Sequence, residues 1–500
     1  MNTSKKKNTI YTFGSSFLAI LLQGILGFIT TKLILTVYGS DFNGVNATAN
    51  QFINLLMLLE GGITLATNVA LFKPIANEDE SQINHILAAM SKIFHKIGLV
   101  FFVLGIIGSY IYANIIGSEL DRIYIFLLFV FTVIPSAFNI YYTSKYSVLL
   151  QAEQKEYIIH FINIAIVIVT QSLLILVASL RVHYLYVRIV QMACSILNSL
   201  IIVSICKKKH IGLNLDVEPD FLAIKGTKDI LIQKFTGLLY GTAPVLYISI
   251  FLGAIYVSVY AVYNSIFSLI KNFLYSLVNA PRMSFGVLIS QQDSDYVKEK
   301  FLQYEFIIIS ISTIVFISVF IMTAPFIAIY TRGITDVNYA DNKVALLLAL
   351  IGYLEIIHIP SGHIINLSGN FSYSKKFQLI ASLILIIVIP LASYFWSLYG
   401  VLFGILCTAL ALCFMEIGYI HQNYFKNALR PILKLLVSNI LPAILICFAE
   451  YRFLPSISSY FEFFVQGTVI LLTNSFLFFG LNYFFNRKYL EALLGGLRRF

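Results

Sequence analysis

Charge is what this 500-residue chain has least of: Asp, Glu, Lys and Arg make up 12% of it, against about 25% in soluble proteins. Tryptophan occurs once and proline eleven times. The five cysteines (Cys194, Cys206, Cys407, Cys413, Cys447) all lie in apolar runs without ligand-like spacing. That excludes a disulfide framework and a metal site and leaves buried thiols. No GxxxxGK[ST] stretch is present, so the chain carries no phosphate-cradling loop of its own. What fills the space is hydrophobic residues, 59% of the total, with a mean hydropathy of +0.84. A helix crosses a bilayer with about 20 apolar residues, and this chain holds enough of them for more than ten crossings.

The one long polar interruption is 207–229, KKKHIGLNLDVEPDFLAIKGTKD. Lysine and arginine near span ends are retained on the cytoplasmic side, so this basic loop fixes the orientation of the rest. Fourteen spans are expected, near 13–38, 44–72, 94–117, 122–147, 157–180, 184–206, 230–252, 255–284, 303–330, 343–367, 377–396, 398–421, 433–453 and 460–485. Phe13–Tyr38 is too long for a signal-peptide core and lacks a small-residue cleavage site, so it reads as the first span. With both termini cytoplasmic, 26 of the 34 Lys and Arg fall inside, six outside and two (Lys32, Lys271) within spans. This distribution accounts for the net charge of +10 without nucleic acid as a partner.

An internal match at an offset of 214 lays Val37–Leu55 over Phe251–Leu269, pairing Gly39 with Gly253, Val45 with Val259, Ala47 with Ala261, Asn50 with Asn264 and Leu55 with Leu269. Six spans separate the copies, so they share one orientation. Parallel repeats of this kind imply two six-helix lobes about an axis along the membrane normal, with a substrate path at their interface. The expected organisation is an all-α integral membrane protein: an N-terminal lobe at 1–206, the basic linker at 207–229, a C-terminal lobe at 230–425, and two further helices with a cytoplasmic tail at 426–500.

Charges inside spans cost about 2.5–3.5 kcal/mol each on insertion scales, and several polar residues here recur at helical spacing. Span 2 has Asn46, Asn50, Asn54, Glu60, Thr64 and Asn68; span 6 has Arg188, Gln191, Ser195 and Asn198. Span 8 has Asn264, Ser268, Lys271, Tyr275, Asn279 and Arg282, and span 10 has Glu355, His358, Gly362 and Asn366. Such faces line a wet cavity or a helix contact, never lipid. Lys32, near an outer end, reads as a snorkelling residue, and Glu416 as a lone structural acid. Arg282, Lys271 and Arg188 are candidates for a ladder of cations suited to a diphosphate headgroup, with Asn50 and Asn264 as polar neighbours. Glu60, Glu355 and His358 would either pair with those cations or carry a coupling H+ or Na+.

Three stretches give a resemblance: Leu55–Ala76 (LLMLLEGGITLATNVALFKPIA), Tyr141–Tyr157 (YYTSKYSVLLQAEQKEY) and Pro325–Tyr339 (PFIAIYTRGITDVNY), with Ile248–Asn264 as a weaker fourth. Together they resemble the bacterial polysaccharide flippases (Wzx-type transporters) of the multidrug/oligosaccharidyl-lipid/polysaccharide exporter superfamily. The resemblance implies a fourteen-helix, two-lobed transporter in the bacterial cytoplasmic membrane. It would move undecaprenyl-diphosphate-linked oligosaccharide for O-antigen or capsule synthesis from the inner to the outer leaflet, by ion-coupled alternating access. It also implies other polysaccharide assembly proteins as candidate partners, no cofactor and no catalytic residue. The chain departs from many relatives at Thr242–Pro244, where they carry an Asp, and at His358, where they carry an Arg. Its rivals are a multidrug or cation antiporter of the same superfamily and a membrane polysaccharide polymerase. The short outer loops, with only Asp41 in Gly39–Gly44, offer a polymerase no paired carboxylates.

Overall fold

The computed structural model describes residues 3–60, 62–210, 212–224 and 228–491; Lys225 of the linker and Arg498 and Arg499 of the tail lie outside them. Among the described residues the chain is all helix and turn. In order, the α-helices are α1 (Thr3–Leu56), α2 (Ile63–Ala76), α3 (Glu80–Ile115), α4 (Arg122–Phe138), α5 (Ser144–Ala152), α6 (Tyr157–Ser179), α7 (Leu185–Lys209) and α8 (Lys228–Phe251). They continue as α9 (Ala254–Asn279), α10 (Arg282–Gln291), α11 (Ser294–Tyr330), α12 (Asn342–Ile357), α13 (Ile359–Leu367), α14 (Phe371–Gly418), α15 (Arg430–Phe453) and α16 (Tyr460–Phe485).

Among the described residues, eleven helical stretches are long and apolar enough to cross a membrane. Two of these are each a pair of segments joined at a corner, at Gly39 in α1 and Ser397 in α14, and Phe235–Phe251 adds a shorter apolar helix. Read this way, fourteen apolar segments lie where the hydropathy pattern puts them, and the protein is a multi-pass membrane protein. The corners are tighter than expected: Ser40–Gly44 is helix, not a loop.

Two compact units divide the chain, residues 1–259 and 260–500, with the boundary inside α9. In the first unit the turns sort to two ends. At one end the Tyr38 hydroxyl donates to the Val182 carbonyl at 2.9 Å, and Asp41 accepts from Ser118 Oγ at 2.6 Å. There the backbone of Gly117 exchanges hydrogen bonds with Ser249 (3.1 Å) and Ala254 (2.7 Å). At the other end the start of α3 holds the linker: Gln82 donates to Asp220 at 3.0 Å and Asn84 to the Gly212 carbonyl at 3.2 Å. Helices that alternate between two such ends are antiparallel neighbours.

The matched glycines of the repeat share a backbone conformation: Gly39 has φ +84° and Gly253 φ +100°, a region open to glycine without steric cost. Gly44 serves differently, because a Cβ there would be driven into the Ala254 carbonyl. The absent side chain lets two helices touch, as small residues do in membrane packing, and nearby Asn43 donates to Ser258 Oγ at 2.7 Å in the buried contact.

In the second unit, Tyr263 donates to the Tyr339 carbonyl at 2.7 Å and Tyr399 to Asp341 at 2.6 Å. These bonds gather the loop 331–341 and the Ser397 corner at one end. Past that corner α14 folds back on itself: a Cβ on Gly400 would enter the Ala392 backbone, and one on Gly404 would meet Ile389. Helices α15 and α16 pack on α11, where Asn474 donates to Ser318 Oγ at 3.0 Å and Glu450 at 3.1 Å.

Candidate functional site

Breaks in two helices position the candidate acids. The second apolar segment leaves α-helical geometry at Met57–Glu60, a single 3-10 turn, and restarts after Gly62 with φ +83°. Glu60 sits at this break, hydrogen-bonded by the Thr64 hydroxyl. The polar stripe of the sequence, from Asn46 to Asn68, is therefore two faces on two helical pieces. In the second unit the tenth segment breaks at His358, between α12 and α13, where Pro360 supplies a helix start that needs no N–H. Glu355 lies one turn before that break, and Asn366 is the penultimate residue of α13.

Three acid–base pairs lie inside the helical segments of the second unit. Lys271, at mid-helix on α9, donates to Glu355 at 2.8 Å, with side chains 19% and 10% exposed. His358 meets Glu416 at 2.8 Å, so Glu416 is not a lone acid. Gly362 makes room for that carboxylate, since a Cβ there would stand 2.8 Å from its oxygen. A third pair, His421 with Glu305 at 3.0 Å, is buried to 1% on both sides and is set by a π-helical turn, Tyr419–Tyr424. Arg282 starts α10 beyond the Ala280–Pro281 break, is exposed, and lies near His363. Asn264 is half-buried on α9.

In the first unit, Arg188 on α7 is 4% exposed. Its guanidinium donates to Asn50 Oδ1 at 3.0 Å, to Gln191 Oε1 at 3.1 Å and to the Asn46 carbonyl. All three acceptors are neutral, and its Nε and Asn46 Oδ1 are buried without hydrogen-bond partners among the described residues. A guanidinium bonded only to dipoles keeps its positive charge uncompensated, which favours an anion nearby.

The structure thus brings together Lys271 with Glu355, and Arg188 with Asn50. It gives His358 a partner, Glu416, that the sequence reading had set aside, and adds the His421–Glu305 pair that the reading missed. Among the described residues, no group of three His, Cys, Asp or Glu is arranged to hold a metal ion.

Fourteen apolar segments, broken helices and paired charges inside them define a polytopic membrane protein. No model of a known protein family and no curated protein matches the sequence. Solved structures do match its fold. One is lipid II flippase MurJ in an inward closed conformation, with TM-score 0.69 and 14% identity, covering 95% of this chain and 99% of that one. Another is an inward-facing multidrug resistance MATE family transporter of the MOP superfamily, with TM-score 0.55 and 12% identity, covering 81% and 95%. A eukaryotic MATE transporter gives TM-score 0.54 and 14% identity over 85% and 97%. The fold is the one these transporters share.

Proposed function

We propose that the protein is a flippase for a lipid-diphosphate-linked oligosaccharide, moving it from the cytoplasmic to the outer leaflet for surface polysaccharide synthesis. The observation that carries this reading is the extent of the fold match. The match to lipid II flippase MurJ spans 95% of this chain and 99% of that one, whereas those to the two MATE transporters span 81% and 85% of this chain. The stretches Tyr141–Tyr157 and Pro325–Tyr339, which resemble polysaccharide flippases, support the same substrate class.

The residues fit the task. Arg188, held by Asn50 in the first unit, and Lys271 and Arg282, with Asn264 also on α9, in the second are each candidates to contact a diphosphate, whose oxygens take charge-assisted hydrogen bonds from guanidinium and ammonium. Glu355 competes with the substrate for Lys271, so a phosphate that takes the ammonium frees a carboxylate to accept a proton or a sodium ion. Glu60 and the His358–Glu416 pair, each at a helix break, are further positions for the coupling ion, as broken helices are in other transporters. The basic ends of the spans orient both termini toward the cytoplasm.

The test is the sidedness of lipid-linked oligosaccharide in cells lacking the protein. Accumulation in the inner leaflet, reversed by the wild-type chain and not by Lys271→Ala at equal abundance, is the expected result. Normal delivery with polymerisation blocked would refute it in favour of an enzyme. Intact glycan with altered drug efflux would refute it in favour of the multidrug branch.

A further inference from the structure

A second cationic centre lies in the first unit, at the end where the linker leaves α7, away from every residue assigned above. Lys145 on α5 is 6% exposed. Its ammonium donates to Ser91 Oγ at 3.0 Å and stands 3.4 Å from His95 Nε2, both on α3. It lies 5.9 Å from the centre of the Tyr142 ring and 5.5 Å from that of Tyr146. Lys207, exposed at the end of α7, lies 5.8 Å from each of the same two rings. His95 is fixed by stacking on Tyr141, centroids 4.3 Å apart. Tyr141 and Tyr142 lie on a π-helical turn, Asn139–Thr143, inserted between α4 and α5, and Tyr146 follows on the first turn of α5; such turns are frequent at functional sites.

The balance of charge is what needs explaining. A buried ammonium is costly unless paired, and here a second ammonium shares its aromatic walls. Among the described residues neither lysine pairs with a carboxylate. The nearby acid, Glu153, is already engaged by Lys155 at 2.9 Å and His210 at 3.3 Å. Two aromatic faces recover only part of the cost, about 0.5–2 kcal/mol each. The groups that remain, two ammoniums, an imidazole, two phenols and the Ser91 hydroxyl, can all donate hydrogen bonds.

We propose that Lys145 and Lys207, with His95, Tyr142, Tyr146 and Ser91, form a binding site for a phosphate-bearing anion. Exposed Lys207 makes the first contact, and buried Lys145 supplies the charge that holds the phosphate. Its ligand is a lipid phosphate headgroup or a soluble phosphate ester, two sources with the same recognition chemistry.

The experiment is reactivity of the lysines toward an amine acylating reagent, read by mass spectrometry on the full-length protein. Baseline labelling is taken in phosphatidylcholine nanodiscs and in detergent. The probes are phosphatidylglycerol nanodiscs and inorganic diphosphate added to the detergent sample. With ligand at ten times its Kd, labelling of Lys207 should fall about tenfold, while the adjacent exposed Lys208 changes little. Protection by phosphatidylglycerol alone identifies a lipid headgroup; protection by diphosphate alone identifies a soluble ligand; protection by both supports the shared chemistry. Lys145→Met should abolish the protection and, without anion, melt at a higher temperature than the wild type. If that variant fails to fold, Lys207→Gln should lose the rise in Tm that the protecting probe gives the wild type. No protection with either probe, protection undiminished in Lys145→Met, or an undiminished rise in Lys207→Gln overturns the proposal.

Discussion

The Lys271–Glu355 pair permits a test in which stability and transport part company. At 2.8 Å a pair of unit charges interacts by about 6 kcal/mol at an effective dielectric of ~20 and by about 1.5 kcal/mol at that of water. With side chains 19% and 10% exposed, the pair sits between these limits, and a coupling of about 2–3 kcal/mol is expected after desolvation is set against it. Lys271→Met leaves a carboxylate in an apolar bundle without its ammonium, and Glu355→Met leaves the converse. Each should destabilise by about 2–4 kcal/mol, whereas Lys271→Met/Glu355→Met together should approach wild-type stability. The assay is a double-mutant cycle by denaturant titration in detergent, with flipping of the lipid-linked oligosaccharide measured on all four proteins. Transport should stay low in the double variant, because a diphosphate still lacks its cation. Additivity of the two single effects within about 0.5 kcal/mol would refute the buried pair. Recovery of transport alongside stability would refute a substrate role for Lys271 and make the pair a strut.

Two further predictions rest on the first unit. Gly44→Ala should unfold the protein or lower its Tm steeply, since the methyl group meets the Ala254 backbone. Gly27→Ala, with open space around its Cβ position, should be neutral or stabilise by about 0.5–1 kcal/mol; equal effects in a melting comparison would refute the close approach. At the linker, burial raises the Glu153 carboxyl pKa, but hydrogen bonds and charge from His210 and Lys155 outweigh it and hold the carboxyl below its ordinary value. A depressed carboxyl stabilises the fold above the unfolded pKa, about 4.3, and that contribution is lost as pH falls from there through the folded value. Glu153→Gln should therefore lower Tm at neutral pH and flatten its decline below about pH 4.3. A Tm–pH curve with the same shape in both proteins would count against the clamp.

Hydropathy made the spans legible because a bilayer imposes a length on any helix that crosses it, and every backbone polar group must be satisfied inside the segment. The repeat located Gly39 and Gly253, whose shared positive φ reflects the same corner built twice. Periodicity was less informative within the segments. It treated 44–72 as one helix, whereas Gly62 in a left-handed conformation ends one piece and starts another. Pairing was the least legible feature: Lys271 and Glu355 are 84 residues apart, His358 and Glu416 58, and Glu305 and His421 116. No local pattern encodes which buried acid meets which base; packing between segments decides it. By its place at a span end Lys145 satisfies the charge rule like any other inner-side lysine, and only its burial against Ser91 and His95 separates it from the others.

The spacing of one ion pair also has a consequence for how the chain is made. Lys271 emerges from the ribosome 84 residues before Glu355, which is roughly 4–17 s at synthesis rates of about 5–20 residues per second. During that interval the eighth segment offers the translocon an ammonium with no carboxylate from the tenth to meet it, at about 2.5–3.5 kcal/mol on insertion scales. The apolar residues of the segment must offset that cost until the tenth arrives. In chain order the pair can close once the tenth segment is made, before the last apolar helices, α15 and α16, emerge.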